Sequence, residues 1–503
     1  MEAGPLSARV GELCDEVAHQ LGAGSRARVR DVRARLGEPL RVAIAGRLKA
    51  GKSTLVNALI GRRVAPTEVG ECTRVVTRFR YGSSDCVDVV RRGGARISLP
   101  LDEAGMVPQR LGVPRDEIAY VDVTLTSDRL RDLTVLDTPG LSSVNAAVSA
   151  RARGVLTSAA PIDELLDPDS AGALSGAEAV LYVFTQVVRA DDVAALESFQ
   201  QTSARLSSSP INSLGVLTKV DKLVPGGVDP WPIAERIAHD QAGVLRRVVS
   251  EVVPVVGLLA ETTRAGLLTV ADCAALGRLA GLPPAERAIL LASADLFTTR
   301  DCPVPPEVRA RLLRLLDLYG VSFAIAALIE RPQLASGELI RGLLQASGLD
   351  ALRQLLDTTL RRRTDALKAG WALSSLARIA GHTDQAQDRE TLRDALDRAL
   401  RQPEYHRLRL LQAAQLVGSG TVDLPTPMVG ELNRLAISDD PGWILDLPAT
   451  DPDHLARAAL AAAARWRAYA VGEASPAQSR VALVGHRGLY LLAQRLRARP
   501  EVP

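Results

Sequence analysis

Apolar positions recur at helical spacing through residues 6–37, broken at Gly22-Ala23-Gly24, with arginines on the outward positions. An unbroken apolar run, Val42-Ala43-Ile44-Ala45, then feeds directly into Gly46, the pattern of a strand covered on both faces. Further strands are predicted at 75–81, 120–126, 133–137, 178–184, 213–218 and 252–258, with helical stretches between them. This alternation predicts an α/β head on a mostly parallel sheet flanked by helices. After about residue 260 the strand pattern stops. Helices are predicted at 308–330, 337–346, 350–381, 387–416, 455–471 and 476–498, divided by Pro/Gly-rich breaks at 281–284, 302–306, 417–427 and 440–452. The expected architecture is a sheet-based head followed by an all-α body.

The 503 residues suffice for two or three cores, and 47% hydrophobic with 24% charged residues fits a globular chain. A formal net charge of +3 gives no reason to expect nucleic acid as a partner. Cys14, Cys72, Cys86, Cys273 and Cys302 are odd in number and form no C-x-x-C pair, which suggests reduced thiols in a cytoplasmic setting. No basic-then-apolar leader is seen at the N-terminus. The apolar run Leu318–Ile329 is short for a membrane span and reads as a buried core helix.

Only five lysines occur; the other basic side chains are arginine. Three of the five, Lys49, Lys52 and Lys219, lie in nucleotide-binding signatures, where a compact ammonium and a planar guanidinium are not equivalent. The first signature is Gly46-Arg47-Leu48-Lys49-Ala50-Gly51-Lys52-Ser53, followed by Thr54 and a helical run. Its glycines let backbone amides close around phosphates at a helix N-terminus; Lys52 would reach the β- and γ-phosphates and Ser53 would ligate Mg²⁺. The second is Asp137-Thr138-Pro139-Gly140 at a strand end. There Asp137 can hold Mg²⁺ through water while the Gly140 amide senses the γ-phosphate. The third is Thr218-Lys219-Val220-Asp221. A carboxylate at Asp221 accepts from N1 and the exocyclic amine of guanine, a donor pair that adenine lacks, and the Lys219 stem would lie over the base. The ordered set points to GTP, with Mg²⁺, and to a GTPase. A γ-phosphate-capping Thr is needed between the first and second signatures, and Thr67, Thr73 and Thr77 are candidates, with Thr77 placed in a strand.

The segments G-R-L-K-A-G-K-S-T, A-P-T-E-V-G-E-C-T, L-D-T-P-G and T-K-V-D together resemble the dynamin superfamily of large GTPases. The segments L-K-A-G-K-S-T-L-V-N-A-L, V-V-P-V-V-G-L-L-A and S-G-L-D-A-L-R are similar to the isoniazid-inducible dynamin-like proteins of mycobacteria and their actinobacterial relatives. The resemblance is strongest over residues 38–262. It selects Thr73, seven residues after Pro66, as the γ-phosphate and Mg²⁺ ligand, and it places a base-contacting element at Gly257-Leu258. It further implies a GTPase domain at 38–360 with a helical elaboration at about 265–340, N-terminal helices (1–37) joining a helical bundle, and a stalk at 361–503. The chain departs from dynamins proper at Leu48 and Lys49, where those carry a water-orienting Gln and a Ser that helps to hold a monovalent cation. Lys49 is therefore a candidate to supply transition-state charge, with a solvated loop lysine as the competing reading.

The resemblance implies pairing of GTPase heads, a paralogous dynamin-like partner, and peripheral association with lipid at the inner face of the cell membrane. Two other readings stand beside membrane remodelling: a switch GTPase acting on a protein partner, and a GTP-binding scaffold with weak hydrolysis. The tip Pro441-Gly442-Trp443-Ile444-Leu445 could enter a bilayer as a wedge, although packing back onto the bundle fits its composition better.

Overall fold

The computed structural model describes residues 4–47, 49–67, 75–139, 177–186, 213–224, 228–245, 249–360, 363–401, 405–418, 420, 422–438, 440–448, 451–472 and 474–497. The predicted Leu48, Thr73 and Gly140 lie outside these residues.

Nine strands form one sheet: β1 (Leu40–Gly46), β2 (Thr77–Tyr81), β3 (Cys86–Arg91), β4 (Arg96–Leu99), β5 (Ile118–Leu125), β6 (Leu133–Asp137), β7 (Ala179–Phe184), β8 (Ser213–Thr218) and β9 (Val252–Val255). Their order is β4-β3-β5-β2-β6-β1-β7-β8-β9. The strands from β6 to β9 pair in parallel, and β1 lies between β6 and β7. Every residue of β7 and β8 is buried, as expected of parallel strands covered on both faces.

Several expectations are corrected. The sequence reading lacks the antiparallel hairpin β3–β4, which extends one sheet edge. The strand expected at 252–258 ends at Val255, and a helix starts at Gly257, because the Val256 amide donates to the Ser347 carbonyl and turns the chain out of the sheet. The helices expected at 350–381 and 387–416 are each divided. They form Leu349–Thr359 with Thr364–His382, and Ala386–Arg401 with His406–Gly418. Amphipathic periodicity continues across each junction, but Leu349–Thr359 packs into the head and Thr364–His382 mainly into the body, while His406–Gly418 extends from the core of Ala386–Arg401 into a second one. The break expected at 440–452 contains a short helix, Pro441–Leu445, capped by the Asp440 carboxylate.

Two apolar clusters cover the two faces of the sheet. The helices from Val270 to Gln345 contribute to the first, so they pack onto the head. Among them, Pro306–Glu330 is long and apolar enough to cross a membrane by length and a mean hydropathy of 1.9. Its Leu312, Leu316, Val321 and Ala324 are nevertheless fully buried in the head core, in line with the core-helix reading.

The helical body holds two more cores. One joins helices Pro5–Ala18 and Ala23–Leu36 to Thr364–Arg401, through Val10, Cys14, Val29, Leu36, Ala372 and Leu376. The other spans residues 410–493 around the fully buried Trp466, whose indole donates to Glu431 at 2.6 Å. Helix His406–Gly418 serves both, with Leu408 in the first and Leu410 and Ala414 in the second.

Head and body meet at Glu178, the residue before β7. Its carboxylate accepts from the Arg41 amide at 2.6 Å and from the Arg35 guanidinium at 2.8 Å. Arg35 also lies over the Trp371 ring, 3.7 Å from the centroid, and Lys368 donates to the Leu36 and Glu38 carbonyls. Burial lowers the Arg35 pKa to about 10, with the Glu178 charge opposing that shift.

Candidate nucleotide-binding site

The loop after β1 and the start of helix Lys52–Ile60 form the centre of the site. Gly46 (φ 151°) is required sterically: a Cβ there would stand 2.2 Å from the Val183 carbonyl oxygen of the neighbouring strand. Gly51 (φ 89°) is left-handed and immediately precedes the helix, whose first-turn amides face the loop because helical N–H groups point toward the N-terminus. Lys49 is also left-handed (φ 61°), a conformation that costs a non-glycine residue roughly 1–2 kcal/mol, and its side chain is exposed. Lys52 is buried, and its ammonium donates to the Gly46 carbonyl at 3.1 Å and the Arg47 carbonyl at 2.9 Å. Burial lowers its pKa, and the nearby Asp137 charge opposes this.

Asp137 ends β6 beside the loop, and the Ser53 hydroxyl donates to it at 2.9 Å. Burial pushes its pKa up to about 6, against the opposing effects of Lys52 and of the Ser53 hydrogen bond. A carboxylate so poorly compensated, with a hydroxyl oxygen within hydrogen-bond reach, fits a hard divalent cation that takes oxygen ligands. Thr138 donates to the Ile44 carbonyl at 2.8 Å, which ties the second signature to the phosphate-loop strand.

The third signature is bound to the first. Thr218 donates to the Ala50 carbonyl at 2.6 Å and to the Phe184 carbonyl at 3.1 Å. Lys219 follows in a left-handed conformation (φ 56°) and is exposed, and Asp221 lies in a short 3-10 turn over Val220–Lys222. Burial raises the Asp221 pKa, and the negative charge of Asp317 adds to the effect.

Asp317 was not anticipated. It breaks the Pro306–Glu330 helix with φ 54° and ψ −179° and forms an ion pair with Lys222. Of the four left-handed non-glycine residues among those described, Lys49, Lys219 and Asp317 therefore all adjoin the nucleotide signatures. A single apolar helix pattern running through 308–330 carries no signal for such a kink.

Asn57 and Glu261 were also missed. The Asn57 carboxamide accepts from the Val64 and Ala65 amides at 3.0 and 2.8 Å and donates to the Ala65 carbonyl at 3.0 Å and to Glu261 at 2.7 Å. It thus holds the chain just ahead of Pro66-Thr67. Both residues are fully or nearly fully buried, and the N-A-L that follows the phosphate loop reads as ordinary amphipathic helix. Of the Thr candidates described, Thr67 is exposed and Thr77 opens β2. Gly257 begins helix Gly257–Arg264 next to Thr54, with room for a Cβ at 3.6 Å from its methyl group, and Leu258 is half-buried behind it.

The dynamin family model matches residues 42–220, which take in the first two signatures and the third as far as Val220. The chain is 33% identical over 441 residues to the isoniazid-induced protein IniC of Mycobacterium tuberculosis, covering 86% of this chain and 85% of that one. It is 31% identical over 140 residues to the isoniazid-induced protein IniA of the same organism, 26% of this chain and 22% of that one. It is also 30% identical over 120 residues to the bacterial dynamin-like protein of Nostoc punctiforme, 21% of this chain and 17% of that one. A solved oligomerised bacterial dynamin pair aligns with 97% of this chain and 90% of its own at 13% identity and a TM-score of 0.35, a likeness too loose to carry an argument. With its signatures assembled on a mostly parallel sheet and a relative matched across most of both sequences, the chain belongs to the dynamin family of large GTPases.

Proposed function

We propose that the protein binds GTP with Mg²⁺ and hydrolyses it to GDP and phosphate, and that this cycle drives pairing of heads and movement of the helical body at a membrane surface. The observation that carries the reading is the convergence of Lys52, Ser53, Asp137 and the Thr218–Asp221 turn around one loop. Lys52 is placed to exchange its two carbonyl acceptors for β- and γ-phosphate oxygens. The amides of Lys49 to Thr54 line the phosphates, and Asp221 with Lys219 selects guanine over adenine.

Ser53 and Asp137 would hold Mg²⁺, Asp137 through water, and Thr73 and the Gly140 amide complete the set proposed around the γ-phosphate. When bound there, Mg²⁺ would supply positive charge to offset the negative charge that builds up on the phosphates as the bond from the γ-phosphorus to the leaving GDP breaks. Water then forms the new bond to phosphorus. Lys49, held left-handed at the exposed lip of the loop, supplies positive charge there once a second head packs over it. Gly257 and Leu258 are proposed to bound the base pocket.

The membrane step rests on the dynamin-family membership. Trp443 is consistent with it, being about half exposed on a short helix whose Ile444 is fully buried in the outer core of the body. A paralogous dynamin-like partner and a cytoplasmic protein bound to the inner face of the cell membrane complete the proposal. Co-sedimentation of the full chain with anionic vesicles, with and without GTP, tests it alongside turnover measured as a function of protein concentration. GTP-dependent sedimentation and a steep rise in specific activity are expected. Turnover without any vesicle binding would favour a switch acting on a protein partner, and flat, slow turnover would favour a scaffold.

A further inference from the structure

Two helices that begin beside the nucleotide loop end side by side at the other end of the head. Lys52–Ile60 and Gly257–Arg264 run in step: a Cβ on Gly257 would stand 3.6 Å from the Thr54 methyl group, and Glu261 accepts from Asn57 at 2.7 Å. The same register carries Arg264 to Gly61, the left-handed residue (φ 77°) that ends the first helix. Arg129, in the 3-10 turn Asp128–Leu130 ahead of β6, is seated over that glycine, since a Cβ on Gly61 would stand 2.8 Å from its Nε. Arg264 donates to Asp350 at 3.2 Å, and Arg353 lies about one turn further along the same face of helix Leu349–Thr359. Three arginines from three separate segments therefore meet.

Their charges are poorly answered. Arg129 Nη1 and Arg264 Nε are buried with no hydrogen-bond partner, and a buried donor left unpaired bears its full desolvation cost. Among the described residues, Asp350 is the one carboxylate paired with any of the three, and it is half-exposed. Burial lowers the Arg129 pKa, and the charges of Arg264 and Arg353 add to that shift. Burial and Arg353 also lower the pKa of Arg264, against the charge and hydrogen bond of Asp350. Like charges held together with unpaired donors cost the fold stability, and a bound anion would offset both costs.

We propose that Arg129, Arg264 and Arg353 form a binding site for a phosphate monoester group, carried by a soluble compound or by a lipid head. Three guanidinium groups less one carboxylate leave a surplus of two positive charges, close to the charge of about −2 on a phosphate monoester near neutral pH. A single carboxylate or a phosphodiester would leave one charge unanswered, and the planar fork of Arg suits phosphate oxygens. An occupant would tie together the far ends of the two helices. The first of these has nine residues, which puts the site roughly 14 Å from Lys52. It rests on its own residues and does not depend on the GTPase reading.

The test uses the full-length chain with a non-hydrolysable GTP analogue and Mg²⁺ in excess, so that phosphate is kept out of the nucleotide loop. One arm is calorimetric titration with inorganic phosphate, against chloride at equal ionic strength. The other is pelleting with phosphatidylcholine vesicles that hold phosphatidate, a monoester, or phosphatidylglycerol, a diester. Both arms are repeated with R353Q and R129Q/R353Q. They are also repeated in a K52A background, which keeps the result readable should the analogue fail to bind. The expected result is about one phosphate per chain, bound at least tenfold more weakly by R129Q/R353Q. The melting temperature without phosphate should hold or rise in both variants, because a repulsion is removed. Loss of inorganic phosphate binding in the variants assigns the site to a soluble phosphate compound. Loss confined to phosphatidate vesicles assigns it to a lipid head. Chloride or phosphatidylglycerol binding as well as the monoester, unchanged binding in R129Q/R353Q, no binding in either arm, or a lowered melting temperature in both variants would overturn the proposal.

Discussion

The Thr218 hydroxyl donates to the Ala50 carbonyl at 2.6 Å, so the turn proposed to select guanine and the loop proposed to hold the phosphates, 168 residues apart in sequence, form one hydrogen-bonded unit. Both groups are buried, and removing the hydroxyl leaves two carbonyl acceptors, those of Ala50 and Phe184, without this donor. The cost of that loss is about 1–3 kcal/mol. Thr218→Val should therefore weaken GTP about 5- to 100-fold, read with a fluorescent GTP analogue, while the far-ultraviolet circular dichroism spectrum stays unchanged.

Asp221 is the proposed acceptor for the guanine N1 and exocyclic N–H groups. Asn at this position turns one acceptor into a donor, which suits the second carbonyl of xanthine and rejects guanine. Asp221→Asn should lose GTP by at least about 100-fold and gain xanthosine triphosphate by a comparable factor, an exchange of several kcal/mol. Competition binding with the two nucleotides reads the outcome directly, and equal loss of both would remove Asp221 from the base pocket.

Ser53 contacts Asp137 at 2.9 Å, where Mg²⁺ is proposed to bind. In Ser53→Ala the gain in GTP affinity on adding Mg²⁺ should shrink by about tenfold or more, in keeping with a lost charge-assisted contact. Affinity measured in excess chelator should change little. Lys52→Ala should instead weaken GTP under both conditions.

Lys49 separates two readings that binding alone does not. If it supplies charge to the transition state, Lys49→Ala should leave GTP affinity within about threefold and cut turnover at high protein concentration by about 10²–10³, in the range for a lost electrostatic donor. Turnover at low protein concentration should barely move. Intact turnover at high concentration would reduce Lys49 to a solvated lysine on a strained loop.

His406 gives the helical body a pH dependence. Burial lowers its pKa from 6.5 to about 4, with Arg487 and Arg409 adding to the shift and the ring N–H donating to the Val484 carbonyl at 3.0 Å opposing it. Arg9, Arg407, Arg495 and Asp365 line a cavity beside it. The folded state holds the ring neutral, and the unfolded chain protonates it below about 6.5. Its contribution to stability is complete above that pH and is lost as pH falls from 6.5 toward 4. The urea midpoint should fall between pH 7 and pH 5, and it should fall less in His406→Gln.

Much of the nucleotide site is legible because its chemistry needs contiguous residues. The Gly46–Ser53 loop, Asp137 at a strand end and Thr218–Asp221 each announce themselves within eight residues. Strand-to-loop transitions then place all three at one end of a parallel sheet. The β3–β4 hairpin had a readable signal in Gly93-Gly94 between two short apolar runs, and it is absent from the predicted elements. Asn57, Glu261 and Asp317 had none, because each acts through a partner distant in sequence: Asn57 with Glu261 across 204 residues, Asp317 with Lys222 across 95.

The sequence by itself determined the α/β head, the helical body and the nucleotide signatures, since periodicity and local motifs depend only on neighbouring residues. Tertiary structure alone decided that the last strand stops at Val255, why long amphipathic patterns divide between cores, and that the apolar helix 306–330 kinks at Asp317. It also gathered Arg129, Arg264 and Arg353 at the ends of two helices. Burial and long-range hydrogen bonds set each of these outcomes, and neither has a period along the chain.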